Sequence, residues 1–139
     1  MDREALLCEM EKRLKDPEQM FILSTLTSDG YPDARLMGNI CGKTAREVFF
    51  TCRAGTRKIG EIAENPRSCV YFTCGDETFW LYGESSASAQ RELRHGIWNE
   101  RMRPVYPGGA DSPDLTVIRF VPKKVRYRGK TGGYAEFSL

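Results

Sequence analysis

The chain has 139 residues, with 21 Lys and Arg against 19 Asp and Glu, a formal charge of +2. That length fits one domain with one core and leaves no room for a dinucleotide-binding unit beside a separate catalytic domain. The near-neutral balance speaks against a general electrostatic grip on nucleic acid, and 40% hydrophobic with 29% charged residues speaks against disorder.

In chain order, residues 2–15 read as an amphipathic helix, with Leu6, Leu7, Met10 and Leu14 at helical spacing between Asp2 and the Asp16-Pro17 stop. Met20–Thr27 is a strand, Ser28-Asp29-Gly30 a hairpin turn, and Tyr31–Cys41 the return strand. After a turn at Gly42-Lys43-Thr44, Glu47–Arg53 is a third strand, with Val48, Phe50 and Cys52 on one face. Thr56–Glu64 is a helix with an Ile59, Ile62 and Ala63 stripe, ended by Asn65-Pro66. Ser68–Cys74 and Thr78–Ser86 are strands, Ala89–Arg101 a helix carrying Trp98, and 103–113 the one long loop. Leu115–Val121 and Val125–Arg128 are the closing strands. The expected fold is one domain, 1–139, mainly β with flanking helices, built on a six- to seven-stranded antiparallel barrel.

Several chemistries fail on their motifs. The five cysteines form no CxxC pair and His95 is the one histidine, so no metal site is expected and the thiols read as reduced, small apolar side chains. No run of about 18 apolar residues exists to span a membrane. The charged start at 1–16 has no secretory apolar core, so a cytoplasmic setting is expected. The triplets Gly42-Lys43-Thr44 and Gly129-Lys130-Thr131 lack the upstream glycine of a phosphate loop, with Met37 and Lys124 at that position. They read as turns. The alternating tail Lys123, Lys124, Arg126, Arg128 and Lys130 reads as a strand with a charged, edge-protecting face.

One segment carries chemistry. A strand ends at Thr51–Arg53, a turn holds Gly55, and a helix starts near Thr56, followed by Arg57 and Lys58. Free amides at a helix start favour an anion. Two cations there conflict with the helix dipole unless an anion offsets them, which points to a phosphate or carboxylate ligand. Arg35 on the preceding hairpin could reach the same anion or form a surface salt bridge.

The order Asp29-Gly30, Arg35-Leu36-Met37, Phe49-Phe50-Thr51, Gly55-Thr56-Arg57-Lys58 and Glu64-Asn65-Pro66-Arg67 resembles the pyridoxamine 5′-phosphate oxidase-like flavoproteins. The later residues Ile97-Trp98, Tyr106-Pro107-Gly108-Gly109 and Asp111–Leu115 resemble their general-stress-protein branch. The resemblance implies an FMN-binding split β-barrel whose sites lie at a homodimer interface. It assigns flavin contacts to Arg35, Leu36, Met37, Phe50 and Thr51, and phosphate contacts to Thr56, Arg57 and Lys58. Thr78 stands where oxidase-type relatives carry a flavin-binding glutamine. Trp98 and Tyr106 either cover the flavin ring or pack in the core. The implied activity is an oxidoreductase or flavin reductase with a small substrate or nicotinamide donor. The alternatives are a non-catalytic flavin-binding stress protein, or a deazaflavin or haem protein with His95 as axial ligand. The oxidase's Arg-Gln strand start and C-terminal Arg-Leu-His-type segment have no counterpart, which speaks against oxidation of vitamin B6 phosphates. No catalytic side chain is assigned.

Overall fold

The computed structural model describes residues 1–39, 41–42 and 44–139. Ile40, in the expected end of the hairpin's return strand, and Lys43, in the expected turn after it, lie outside the described residues. The elements are α1 (Arg3–Lys15), β1 (Phe21–Leu26), β2 (Pro32–Met37), β3 (Val48–Arg53), α2 (Arg57–Glu64), β4 (Arg67–Cys74), β5 (Glu77–Ser88), α3 (Arg91–Ile97), β6 (Leu115–Arg128) and β7 (Tyr134–Ser138). Strand order is β2-β1-β4-β5-β6-β3, with β7 also on β6, and every pairing is antiparallel.

The expected mainly β fold with flanking helices is present. α1 is capped by the Asp2 carboxylate, which accepts from the Ala5 amide at 2.8 Å, and it buries Leu6, Met10 and Leu14 completely. That helix closes one side of a barrel whose interior is a row of rings. Phe50 meets Phe21 at 5.8 Å, Phe21 meets Phe72 at 5.1 Å, Phe72 stacks on Phe79 at 4.7 Å, and Phe79 meets Tyr127 at 5.1 Å. The Phe21–Phe50 contact joins β1 to β3, which share no ladder. Side chains therefore close the barrel where hydrogen bonds leave it split.

Four local expectations are corrected. The two closing strands are one, because β5 pairs with β6 continuously from Val117 to Arg128 and holds Pro122 inside a single strand. On the other edge of β6, β3 pairs with Leu115–Phe120 and β7 with Lys124–Arg128, so Pro122 falls in the gap between them, where that edge has no ladder for a missing N–H to interrupt. The basic tail is consequently inside the sheet, covered by β7, rather than guarding an edge. β7 itself follows a turn in which the Gly129 amide donates to the Gly133 carbonyl. The helix expected over 89–101 stops at Ile97; Trp98 has extended backbone, and Glu100–Met102 forms a separate 3-10 turn. In α2 it is Glu61, not Ala63, that joins Ile62 on the buried face.

Gly83 faces Pro122 at a register shift between Tyr82 and Gly83, and a Cβ there would collide with the Val121 carbonyl. A β-bulge of this kind lets backbone approach backbone. Gly83→Ala is expected to cost about 3 kcal/mol or more, read by thermal or urea unfolding. At the far end of β6 the buried Tyr127 hydroxyl donates to Glu77 Oε2 at 2.6 Å, with Arg13 3.8 Å from the same carboxylate. Burial and then the Glu77 carboxylate push the Tyr127 phenol from 10.0 up to about 12. The folded state holds the proton more tightly than the unfolded chain, so this contribution is intact below about pH 10 and is lost as pH rises towards about 12. Unfolding titrations across that range should show the loss in the native chain and a shallower one in Tyr127→Phe.

Candidate functional site

The hairpin and α2 assemble the site. β1 and β2 pair Thr25 with Asp33 and Leu23 with Arg35, so the inward side chains of β2 rise beside those of β1. α2 packs over this corner. Arg35 is mostly enclosed, donating to Thr25 Oγ1 at 2.8 Å and to the Leu23 carbonyl at 3.2 Å. Its second nitrogen lies 3.1 Å from Asp33 Oδ2 and 3.4 Å from Glu61 Oε2. Arg57 reaches the same acids from the other side, 3.5 Å from Glu61 Oε1 and 3.8 Å from Asp33 Oδ2. Thr25 Oγ1 in turn donates to Glu61 Oε2 at 3.2 Å. Side-chain contact with Glu61, then the charges of Arg35 and Arg57, hold the Asp33 carboxyl below its ordinary range.

The turn before α2 is built by Gly55, whose φ of 78° suits glycine, and by Asp114, whose carbonyl accepts from the Ala54 amide and whose carboxylate pairs with Arg53 at 2.8 Å. Thr56 is the N-cap residue, yet its hydroxyl does not cap the helix. Thr56 Oγ1 is buried without a well-formed hydrogen bond, an uncommon condition that a ligand oxygen would relieve. α2 also has no acidic residue in its first turn. In the first turn the Ile59 amide donates to the Thr56 carbonyl at 3.2 Å, which leaves the Arg57 and Lys58 amides as the unpaired donors expected at a helix start. Beneath them burial pushes the Cys52 thiol up, while the Thr56 hydroxyl and the Lys58 ammonium oppose the rise.

The structure thus brings Arg35, Thr56, Arg57 and Lys58 to one corner, with Met37 on the same face of β2. Leu36 points the other way and is 68% exposed. Phe50 is sealed in the barrel, so contact with a ligand from that position comes through its backbone. Thr51 bonds Tyr106, whose phenol burial pushes up; Tyr106 packs with Met102 and Leu115, which resolves it as a core residue. Trp98 is half-buried against that small cluster, its indole donating to Glu100 and its ring lying under the Arg103 guanidinium at 5.4 Å. Thr78 pairs with Arg128, at the opposite end of β6 from the Arg53–Leu115 pair that adjoins the α2 start. His95 Nε2 lies 2.7 Å from Asp111 Oδ1, at the surface.

Asp33, Glu61 and Thr25 were not singled out by the sequence. The spacing of Arg57 and Glu61 is a helical i, i+4 ion pair, and the hairpin register places Thr25 opposite Asp33, so both signals were present. For Arg57, the conflict with the helix dipole is answered in the protein itself by these carboxylates. Among the described residues no disulfide joins any of the five cysteines. Among the described residues no group of three or more His, Cys, Asp and Glu is placed to hold a metal ion, and no helix is long and apolar enough to cross a membrane.

Comparison with known proteins agrees with this architecture. Among curated proteins no significant match is found. A protein related to general stress protein 26 from Clostridium acetobutylicum superposes with a TM-score of 0.87 at 20% identity, covering 100% of this chain and 97% of its own. The general stress FMN/FAD binding protein of Xanthomonas citri superposes with a TM-score of 0.72 at 19% identity, covering 89% of this chain and 88% of its own. A pyridoxamine 5′-phosphate oxidase-related, FMN binding protein from Nostoc punctiforme gives 0.67 at 12% identity, covering 99% and 95%. These likenesses share the split-barrel fold. The sequence model of the pyridoxamine 5′-phosphate oxidase-like family matches residues 7–139, so this chain belongs to that family.

Proposed function

We propose that this protein is an FMN-binding flavoprotein that works as an oxidoreductase or flavin reductase on a small substrate, with two copies of the chain sharing each site. The observation that carries the reading is the corner at the start of α2. A buried Thr56 hydroxyl without a well-formed hydrogen bond sits there with Arg35, Arg57 and Lys58 beside open helix amides. That donor set suits a phosphate monoester. FMN, once bound, supplies the hydride or electron chemistry. The residues present contribute binding and orientation: Thr56, Arg57 and Lys58 hold the phosphate, and the β2 backbone at Arg35, Leu36 and Met37 lines the flavin. That structures of similar fold are described as FMN binding or FMN/FAD binding supports the choice of cofactor. Thiols in the reduced form fit a cytoplasmic setting.

Pairing of two copies is supported by the outer face of the sheet. The register runs Leu36, Ile22, Tyr71 and Trp80 in one line across β2, β1, β4 and β5. Leu36 and Tyr31 are exposed, and Ile22, Tyr71 and Trp80 are half-buried. A continuous apolar line of this kind on a sheet face calls for a cover. The separation of Thr78 from the α2 corner also fits a site completed by a second chain.

The purified protein is expected to be yellow and to release FMN on denaturation; a colourless protein that ignores added FMN overturns the reading. Arg57→Ala combined with Lys58→Ala should weaken FMN binding by about 2 kcal/mol while changing riboflavin binding little, since only FMN carries the phosphate. Equal losses for both flavins would place the phosphate elsewhere. Oxidation of a reduced nicotinamide in the presence of an acceptor separates an enzyme from a flavin-binding stress protein. For the pairing, sedimentation should give the mass of two chains for the native protein and of one chain for Leu36→Asp.

A further inference from the structure

The two guanidiniums within reach of a phosphate at the α2 corner are already engaged. Arg35 and Arg57 both lie against Asp33 and Glu61, at 3.1, 3.4, 3.8 and 3.5 Å. The four groups come from two elements, β2 and α2, and Glu61 is only 7% exposed. Its burial is tolerable because Thr25 Oγ1 and the two guanidiniums surround it. The carboxylates therefore occupy the cationic partners that a phosphate would use. Arg35 is also tied to Thr25 and the Leu23 carbonyl, so its position does not depend on the acids alone.

We propose that Asp33 and Glu61 form a built-in anion that competes with the flavin phosphate for Arg35 and Arg57, setting how tightly FMN is held against riboflavin. This rests on the assignment of the α2 corner as the phosphate site. When the phosphate binds, it shares or displaces carboxylate contacts and is repelled by the Asp33 charge. FMN then gains less over riboflavin than its phosphate could provide. The acids keep Arg35 and Arg57 aligned when no phosphate is present and limit affinity when one is. Asp33 and Glu61 are thus positioning residues that act through the two arginines.

The test compares Asp33→Asn and Glu61→Gln with the native protein. FMN and riboflavin affinities are measured by fluorescence titration at fixed salt, and folding is checked by thermal melting. Removing one unit of negative charge near a dianion should raise the FMN-to-riboflavin affinity ratio by about tenfold. Asp33 is partly exposed at the hairpin, so Asp33→Asn remains informative should Glu61→Gln fail to fold. A merely structural role would lower both affinities together. A native ratio well above one with unchanged or lower ratios in the variants overturns this proposal and leaves the phosphate site standing. A native ratio near one that stays near one in both variants overturns the phosphate site and the proposal with it.

Discussion

The contact between Phe21 and Phe50 holds together what the backbone does not. A sheet ordered β2-β1-β4-β5-β6-β3, with β7 also on β6, ends in β2 on one side and in β3 and β7 on the other, and no ladder joins the two sides. Ring contact at 5.8 Å across that split ties β1 to β3 and brings the hairpin corner close to the turn that starts α2. Aromatic pairs in edge-to-face geometry add to simple area burial. The candidate site sits at the split because this is where inward side chains of an edge strand can be met by a helix instead of another strand. Arg35 on β2 and Arg57 on α2 share acids only because the barrel closes there by side chains.

The same logic explains β6. A single 14-residue strand serves three partners, β5 along one edge and β3 then β7 along the other. Pro122 marks the exchange, and Gly83 opposite it allows the backbones to close up. Strand, proline and glycine form one device. The strand has to bend to wrap the barrel, and the bulge supplies the bend.

Much of this was legible in the sequence, and the reasons differ by element. α1, β1, β3 and α2 follow period and caps, which are local, so Leu6, Met10, Leu14 and the alternation of Val48, Phe50 and Cys52 could be read directly. Pro122 misled because proline ordinarily ends a strand; only knowledge of which partner leaves at Phe120 and which arrives at Lys124 makes it tolerable. β7 was missed because Tyr134–Ser138 is short and largely exposed, and only β6 gives it a reason to be extended. The helix over 89–101 was overextended because Trp98 and Met102 pack on Tyr106 and Leu115, a contact that bends the chain away from helical spacing. At the site, the helix-start cations Arg57 and Lys58 were evident. Glu61 was hidden because a Glu on a helix surface is ordinarily solvated, and its burial depends on where the hairpin sits.

The distance between Thr78 and the Thr56 corner carries a further meaning. They lie at opposite ends of a strand spanning some 14 residues, roughly 40 Å of chain at strand rise. If two copies share each site, as proposed, a small ligand can touch both kinds of position across the pair. Occupancy would then depend on the concentration of the protein as well as that of the ligand. Dilution alone would empty the site, with no change in the chemistry of any residue.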